Sequence, residues 1–241
     1  MIRLAYAVAA ICGGLALWQS LIWITDAPRF ILPPPFLVAE TGWENRALLM
    51  EHAAATLTAV LLGLSVGVIS GASTAIALAR FDGLQRLTMP MLVFTQAIPV
   101  FALAPVLTLW FGYGLASKVV MAVLIIYFPV VSAFYDGLSR VPSGMLDLAQ
   151  TMGASKTRTL WLIRVPYALP TLGTGIKLAA VYAPIGAVIG EWVGSSRGLG
   201  YLMLLANGRA KTDLMFASLI TLAAMAIALH AAVSRAVRNF R

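Results

Sequence analysis

Charge is scarce in this chain. Only 11% of its 241 residues are Asp, Glu, Lys or Arg, less than half the ~25% of an ordinary soluble domain. A water-facing surface of the usual kind is thereby excluded. Cysteine is nearly absent: the single Cys12 excludes a disulfide framework and a cysteine-based zinc site. The two histidines, His52 and His230, lie too far apart to form a metal cluster by spacing. No Gly-Lys dipeptide occurs, so the chain has no phosphate-binding loop of the Walker type. Paired carboxylates, a His-rich cluster and a Gly-x-Ser-x-Gly nucleophile elbow are not expected here, which leaves a membrane enzyme little support. The basic residues are not interleaved with stacking aromatics and no base-reading module is present, so nucleic acid is not an expected partner.

Apolar residues are abundant, at 61% of the chain, with a mean hydropathy of +0.90. They fall in runs at 4–25, 56–79, 88–111, 118–138, 169–193 and 214–237. Each run is close to or above the ~20 residues a helix needs to cross hydrocarbon. An open strand would leave its backbone polar groups unpaired in lipid. The expected fold is therefore an all-α membrane protein of six transmembrane helices, in contact with membrane lipid.

With six spans both termini share a side. That side holds Arg3, Arg80, Arg86, Arg140, Lys156, Arg158, Arg164, Arg235, Arg238 and Arg241, against Arg29, Arg46, Lys118, Arg197, Arg209 and Lys211 on the other. Ten against six places both termini in the cytoplasm by the positive-inside rule. The first run resembles a secretory signal at its start, with Arg3 and Ala7-Val8-Ala9, but continues to Trp23 and Ile24; it reads as an uncleaved span. Ile31-Leu32-Pro33-Pro34-Pro35-Phe36 then favours an extended path. Residues 40–51, with Trp43 and several charges, read as a short interfacial helix on the outer face. Residues 1–52 thus form a first span and outer connector, and 53–241 a core domain.

Several features lie inside the spans. Gly63, Gly67, Gly71, Ala75 and Ala79 recur every four residues and form a small-residue ridge on which another helix can pack closely. Gln96, Pro99 and Pro105 break the third span; the freed carbonyls suit either a cavity-lining or moving wall, or a static kink. Tyr127-Phe128-Pro129 repeats the theme in the fourth. Ionisable groups at membrane depth are candidates for function. Lys177 either snorkels to the inner surface or pairs with Asp136, or it lines a translocation path. Glu191, 14 residues on and about 21 Å further along the helix, is an outer-surface residue or an outer gate.

Residues 140–170 carry the most information. Ser143 is expected to cap a short helix running to Met152, and Gly153 to end it in a left-handed turn. Ser155 is expected to cap a second short helix that Pro166 stops. The second helix sets Lys156, Arg158 and Arg164 beside Leu160, Trp161 and Ile163. Such an amphipathic helix either docks in a partner's groove or lies on the inner leaflet.

Here the chain resembles the binding-protein-dependent ABC transporter permeases. Their cytoplasmic motif is Glu-Ala-Ala, three residues, Gly, nine residues, then Ile-x-Leu-Pro. Asp147-Leu148-Ala149 stands in the first place, followed by Gly153-Ala154 and, nine residues after the glycine, Ile163-Arg164-Val165-Pro166. The departures are Asp for Glu, Leu for Ala and Val for Leu. Leu32-Pro33-Pro34-Pro35, His52 with Thr56-Leu57, and Glu191 followed by Gly198-Leu199-Gly200-Tyr201-Leu202 are similar to the sulfonate, taurine, nitrate and thiamine-pyrimidine branch. The runs 96–105 and 183–194 look most like permeases for pyrimidine thiamine precursors.

The resemblance implies a type I importer permease fold in the bacterial cytoplasmic (inner) membrane, with loop 140–168 coupling it to an ATPase. It implies two permeases, most simply a homodimer, two ATPase subunits, and a periplasmic or lipid-anchored substrate-binding protein. ATP and Mg would sit on the ATPase, and this chain would bind no cofactor. Gln96, Pro99, Tyr127, Lys177 and Glu191 are the candidates for the translocation path. A secondary transporter is the rival reading, but no internal repeat supports it.

Overall fold

The computed structural model describes residues 2–81 and 83–240. Met1, Asp82 and Arg241 lie outside the described residues, as does the side chain of Arg3, so two charges of the topology count have no structural counterpart. The chain is 87% helical, with no strand among the described residues. In order, the helices are α1 (Ile2–Thr25), α2 (Pro35–Glu44), α3 (Arg46–Arg80), α4 (Leu84–Ala97), α5 (Val100–Phe111) and α6 (Leu115–Ser139), followed by α7 (Ser143–Thr151), α8 (Lys156–Thr159), α9 (Val165–Gly194), α10 (Leu199–Gly208) and α11 (Thr212–Ala236). Among the described residues, four helices are long and apolar enough to cross a membrane: α3, α6, the continuous 156–194 helix and α11. The bent pair α4–α5 brings the number to five. The first apolar run is helical as well, as α1.

The core is a bundle of α3, α6 and α9, each packed against the other two. The small-residue ridge of α3 meets a matching ridge of α6. A Cβ on Gly63 would fall 2.5 Å from that of Ala122, one on Gly67 2.5 Å from Ile126 Cδ1, and one on Gly71 3.0 Å from Val130. Residues 122, 126 and 130 are also four apart, so i±4 rows of both helices interlock. From α9, a Cβ on Gly186 would meet the Ala122 backbone at 2.6 Å. Val60, Ile126, Val130, Phe134, Ala179 and Ala183 fill the space between the three helices.

Three boundaries differ from the expected ones. The second span starts at Arg46, not near residue 56, so 46–51 belong to α3 and the outer helix is only Pro35–Glu44. Asn45 separates them: its side chain donates to the Thr41 carbonyl at 2.8 Å, a local bond that competes with helix continuation. The third span is two helices bent by 97°. Pro99 has no amide hydrogen, and it holds Ile98 in an extended conformation (φ −83°, ψ 119°). Pro105, by contrast, is absorbed within α5. Pro166 does not stop a helix: residues 160–164 form a π turn and the helix runs on as α9. Across the turn the Val165 amide donates to the Leu160 carbonyl, an i→i+5 bond, and Pro166, which has no amide hydrogen, follows without ending the helix. Residues 156–194 thus make one helix of 39 residues, roughly 58 Å long.

The outer connector is docked to the bundle. Thr41 Oγ1 donates to Asp213 Oδ2 at 2.9 Å, and Thr212 Oγ1 to the Arg29 carbonyl at 3.1 Å. Trp18 of α1 lies 5.4 Å from Phe216 of α11, ring centre to ring centre.

Candidate functional site

At one end of the bundle, α7 projects as a short helix whose two sides differ. Met145, Leu148 and Met152 are exposed, Met152 by 78%. Spaced at i, i+3 and i+7, they share one helical face. Ala149, one turn after Met145, is buried at the edge of that face. Asp147 is exposed. Three neighbouring large apolar side chains on a protruding helix form a surface suited to a partner's groove.

The turn after α7 holds the expected geometry. Gly153 has φ +74°. Its amide donates to the Gln150 carbonyl at 2.9 Å, and the Ala154 amide to the Ala149 carbonyl at 2.9 Å. These are the two bonds of a Schellman ending, which needs a left-handed residue at that point. A Cβ on Gly153 would meet no atom within 4 Å, so the need for glycine there is conformational, not steric. Ser155 caps the next helix, accepting from the Arg158 amide at 3.3 Å. Ser143 does not cap α7. It is the first helical residue, and Pro142, whose side chain has no acceptor, stands in the cap position. Ile163, Val165 and Pro166 lie within or just after the π turn that joins this loop to α9.

At the other end, Glu191 is buried and not on the surface. It is 1% exposed. Thr56 Oγ1 donates to Oε1 at 2.8 Å and the Gly200 amide to Oε2 at 2.7 Å. The Leu199 amide donates to Thr56 Oγ1 at 2.8 Å, and the Gly198 amide to His52 Nδ1 at 3.0 Å. The His52 ring stacks on Tyr201, centroids 5.9 Å apart. Nearby, Lys118 Nζ donates to the Arg197 carbonyl at 3.3 Å. The start of α10 is thus tied to α3, α6 and α9 by one buried polar knot. Gly198, at φ +126°, is required twice over: a Cβ there would overlap the Glu191 carboxyl group. The sequence marked Glu191, His52, Thr56 and the Gly198–Tyr201 run separately. Their convergence was hidden because 135 residues separate Thr56 from Glu191.

The remaining membrane candidates do not form one cluster. Gln96 and Pro99 are exposed at the α4–α5 break. The Tyr127 hydroxyl is 2.7 Å from Thr74 Oγ1, linking α6 to α3. Lys177 is half-buried. It does not pair with Asp136, which lies 4.0 Å from Arg140. One pattern escapes the sequence reading: Gly194-Ser195-Ser196-Arg197-Gly198 has the Gly-x-Ser-x-Gly spacing of a hydrolase nucleophile elbow. It sits between two helices, not on the strand-to-helix turn that such chemistry uses. Among the described residues no group of three or more His, Cys, Asp or Glu is placed to hold a metal ion.

The family model described as binding-protein-dependent transport system inner membrane component matches residues 53–241. A probable ABC transporter permease protein of Haemophilus influenzae is 46% identical, over 94% of this chain and 92% of its own. The riboflavin transport system permease protein RibX of Chloroflexus aurantiacus is 37% identical, over 90% and 81%. The formylaminopyrimidine transport permease protein ThiX of Halalkalibacterium halodurans is 36% identical, over 78% and 75%. In fold the chain is similar to the MetNI methionine ABC transporter in an inward-facing conformation, with a TM-score of 0.71 at 20% identity, covering 82% of this chain and 98% of that one. The chain belongs to the inner-membrane component family of binding-protein-dependent transport systems, and is a permease subunit of an ABC transporter, not an enzyme.

Proposed function

We propose that this permease, as a homodimer with two ATPase subunits and an external substrate-binding protein, forms the path of an ATP-driven importer for a pyrimidine-type thiamine precursor. It crosses the bacterial cytoplasmic membrane six times, with both termini inside, and the α4–α5 pair serves as one broken span. Loop 140–168 couples it to the ATPases: the Met145–Leu148–Met152 face seats in a groove of the ATPase, at the angle set by Gly153. ATP and Mg act on those subunits. Closure of the ATPase pair drives α7, and the 156–194 helix carries the motion into the membrane without an intervening hinge. Each ligand must favour one of two packings, or it shifts nothing. Gln96, Pro99, Tyr127 and Lys177 face the path in at least one packing, whereas Glu191 holds the outer end together.

The observation that carries the coupling reading is the exposed apolar face of α7 beside the Schellman turn at Gly153. The substrate reading is supported by the 36–37% identity to permeases named for formylaminopyrimidine and riboflavin. Both solutes contain a nitrogen-rich six-membered ring. A second reading, taurine or another sulfonate, has support from a taurine permease of Escherichia coli at 29% identity. The test is uptake by proteoliposomes holding permease, ATPase and binding protein, with ATP inside. Labelled hydroxymethylpyrimidine is expected to accumulate only with ATP, and unlabelled taurine is expected not to compete. ATP-dependent taurine uptake would move the assignment to sulfonates. Uptake driven by an ion gradient without ATP would make the protein a secondary transporter.

A further inference from the structure

Behind α7 lies a polar cavity that the coupling role does not use. Its volume is about 470 Å³, and it is lined by Arg80 at the end of α3, Leu146 and Gln150 of α7, and Lys156, Thr159 and Arg164 of the following helix. That size falls within the range of about 300–1,000 Å³ typical of small-molecule sites. Among the described lining residues three are cations and none is a carboxylate. Arg80 and Arg164 form no ion pair with any described residue.

Three further observations point to a ligand. Leu146 and Gln150, four residues apart, occupy the helical face opposite Met145, Leu148 and Met152. A partner seated on α7 would therefore leave the cavity uncovered. The Arg80 guanidinium carbon lies over the Phe81 ring, 5.5 Å from its centre, a contact that uses the guanidinium face and leaves its N–H edge to donate. Arg164 closes the π turn, and such turns recur where a helix must re-aim a side chain for function. Two arginines lining one cavity with the hydroxyl of Thr159 and the amide of Gln150 suit a tetrahedral phosphate. Arginine forks complement phosphate oxygens, and the neutral groups complete the shell.

We propose that this cavity binds a phosphate-bearing anion, and that its source is the headgroup of an anionic lipid of the inner leaflet. Basic pockets at the cytoplasmic edge of membrane helices hold such headgroups. The cavity opens beside the point where α3 and the 156–194 helix leave the membrane, within reach of lipid phosphates. The lipid bridges α3 to the coupling loop from behind and makes the loop's stiffness depend on membrane composition. The cytoplasmic placement rests on the topology proposed above. The binding itself does not require transport to be measured.

The test is lipid retention by the purified permease–ATPase complex after extraction from vesicles of equal parts phosphatidylglycerol and phosphatidylcholine, read by native mass spectrometry. The wild type is expected to keep phosphatidylglycerol in preference to phosphatidylcholine. Removing both arginines, as Arg80→Gln with Arg164→Gln, should lower that retention roughly 25-fold, about fivefold for each charge. Gln150→Glu, which removes no packing arginine and adds a repelling charge, should lower it too. Arg158→Gln and Arg235→Gln, outside the cavity, should leave it unchanged. Stabilisation by inorganic phosphate in pure phosphatidylcholine, lost with the two arginines, would assign the same cavity to a free phosphate. Equal phosphatidylglycerol retention in wild type, Gln150→Glu and the double variant, with no response to phosphate, would overturn the proposal.

Discussion

Replacing Glu191 by Ala tests the outer knot directly. The carboxylate accepts from Thr56 Oγ1 and from the Gly200 amide, and both donors are buried. Truncation leaves them without that acceptor. The Thr56 hydroxyl retains a longer contact of 3.3 Å to the His52 carbonyl, so its loss is partial, whereas the Gly200 amide loses its partner outright. At about 1–3 kcal/mol for each orphaned buried group, the expected cost is about 2–5 kcal/mol. For a chain of this size each kcal/mol lowers a melting temperature by about 2–4 °C, which gives a fall of roughly 4–20 °C in detergent. Glu191→Gln keeps an acceptor for one donor only and should fall between wild type and Ala. Because the knot anchors the 195–198 loop, a Ser196→Cys reporter in a Cys12→Ser background should react faster with a water-soluble thiol reagent in the Glu191→Ala variant. Unchanged melting and unchanged labelling together would refute the claim that this carboxylate holds the loop.

Three further outcomes follow from the packing and the charge pattern. Gly67→Leu should destabilise the fold by about 1–3 kcal/mol, since even a Cβ would press on Ile126 at 2.5 Å; detergent melting and yield of intact protein check this. A reporter fused after the last residue should be active only if it reads the cytoplasm, and periplasmic activity would contradict six spans. A cysteine at Lys177 in a Cys12-free background should change its reactivity toward water-soluble reagents when ATP is added to the complex, and constant labelling would place it on a static surface.

The apolar runs and the proline and glycine positions made most helices legible. The rule of four in 63–79 announced a close helix contact, though not its partner, because α6 shows the complementary rows only once Ala122, Ile126 and Val130 are seen side by side. Gly153 was legible down to its backbone conformation, since the demand for a left-handed residue is local. Pro166 misled for the converse reason. A proline signals a missing donor, but whether the chain stops, bends or inserts a π turn depends on what the following 28 residues bury. Pro99 did break its helix, with the exposed Gln96 and Pro99 showing little packing to oppose it. Glu191 read as an outer-surface or gating charge because sequence shows no sign that Thr56, from 135 residues earlier, supplies a hydroxyl to it.

The coupling claim rests on one backbone angle. Gly153→Val places a β-branched residue at φ +74°, at a cost of about 1–3 kcal/mol, while the space around the position holds no atom for it to strike. The membrane helices are untouched, so the variant should reach the membrane at wild-type levels. The decisive measurement is ATP hydrolysis by the reconstituted Gly153→Val complex, with and without substrate-loaded binding protein, alongside uptake. The account predicts that uptake is lost, and that the ATPase either dissociates or keeps a basal rate the binding protein no longer raises. Normal uptake with normally stimulated hydrolysis would mean that the α7 turn does not transmit ATPase motion to the membrane helices.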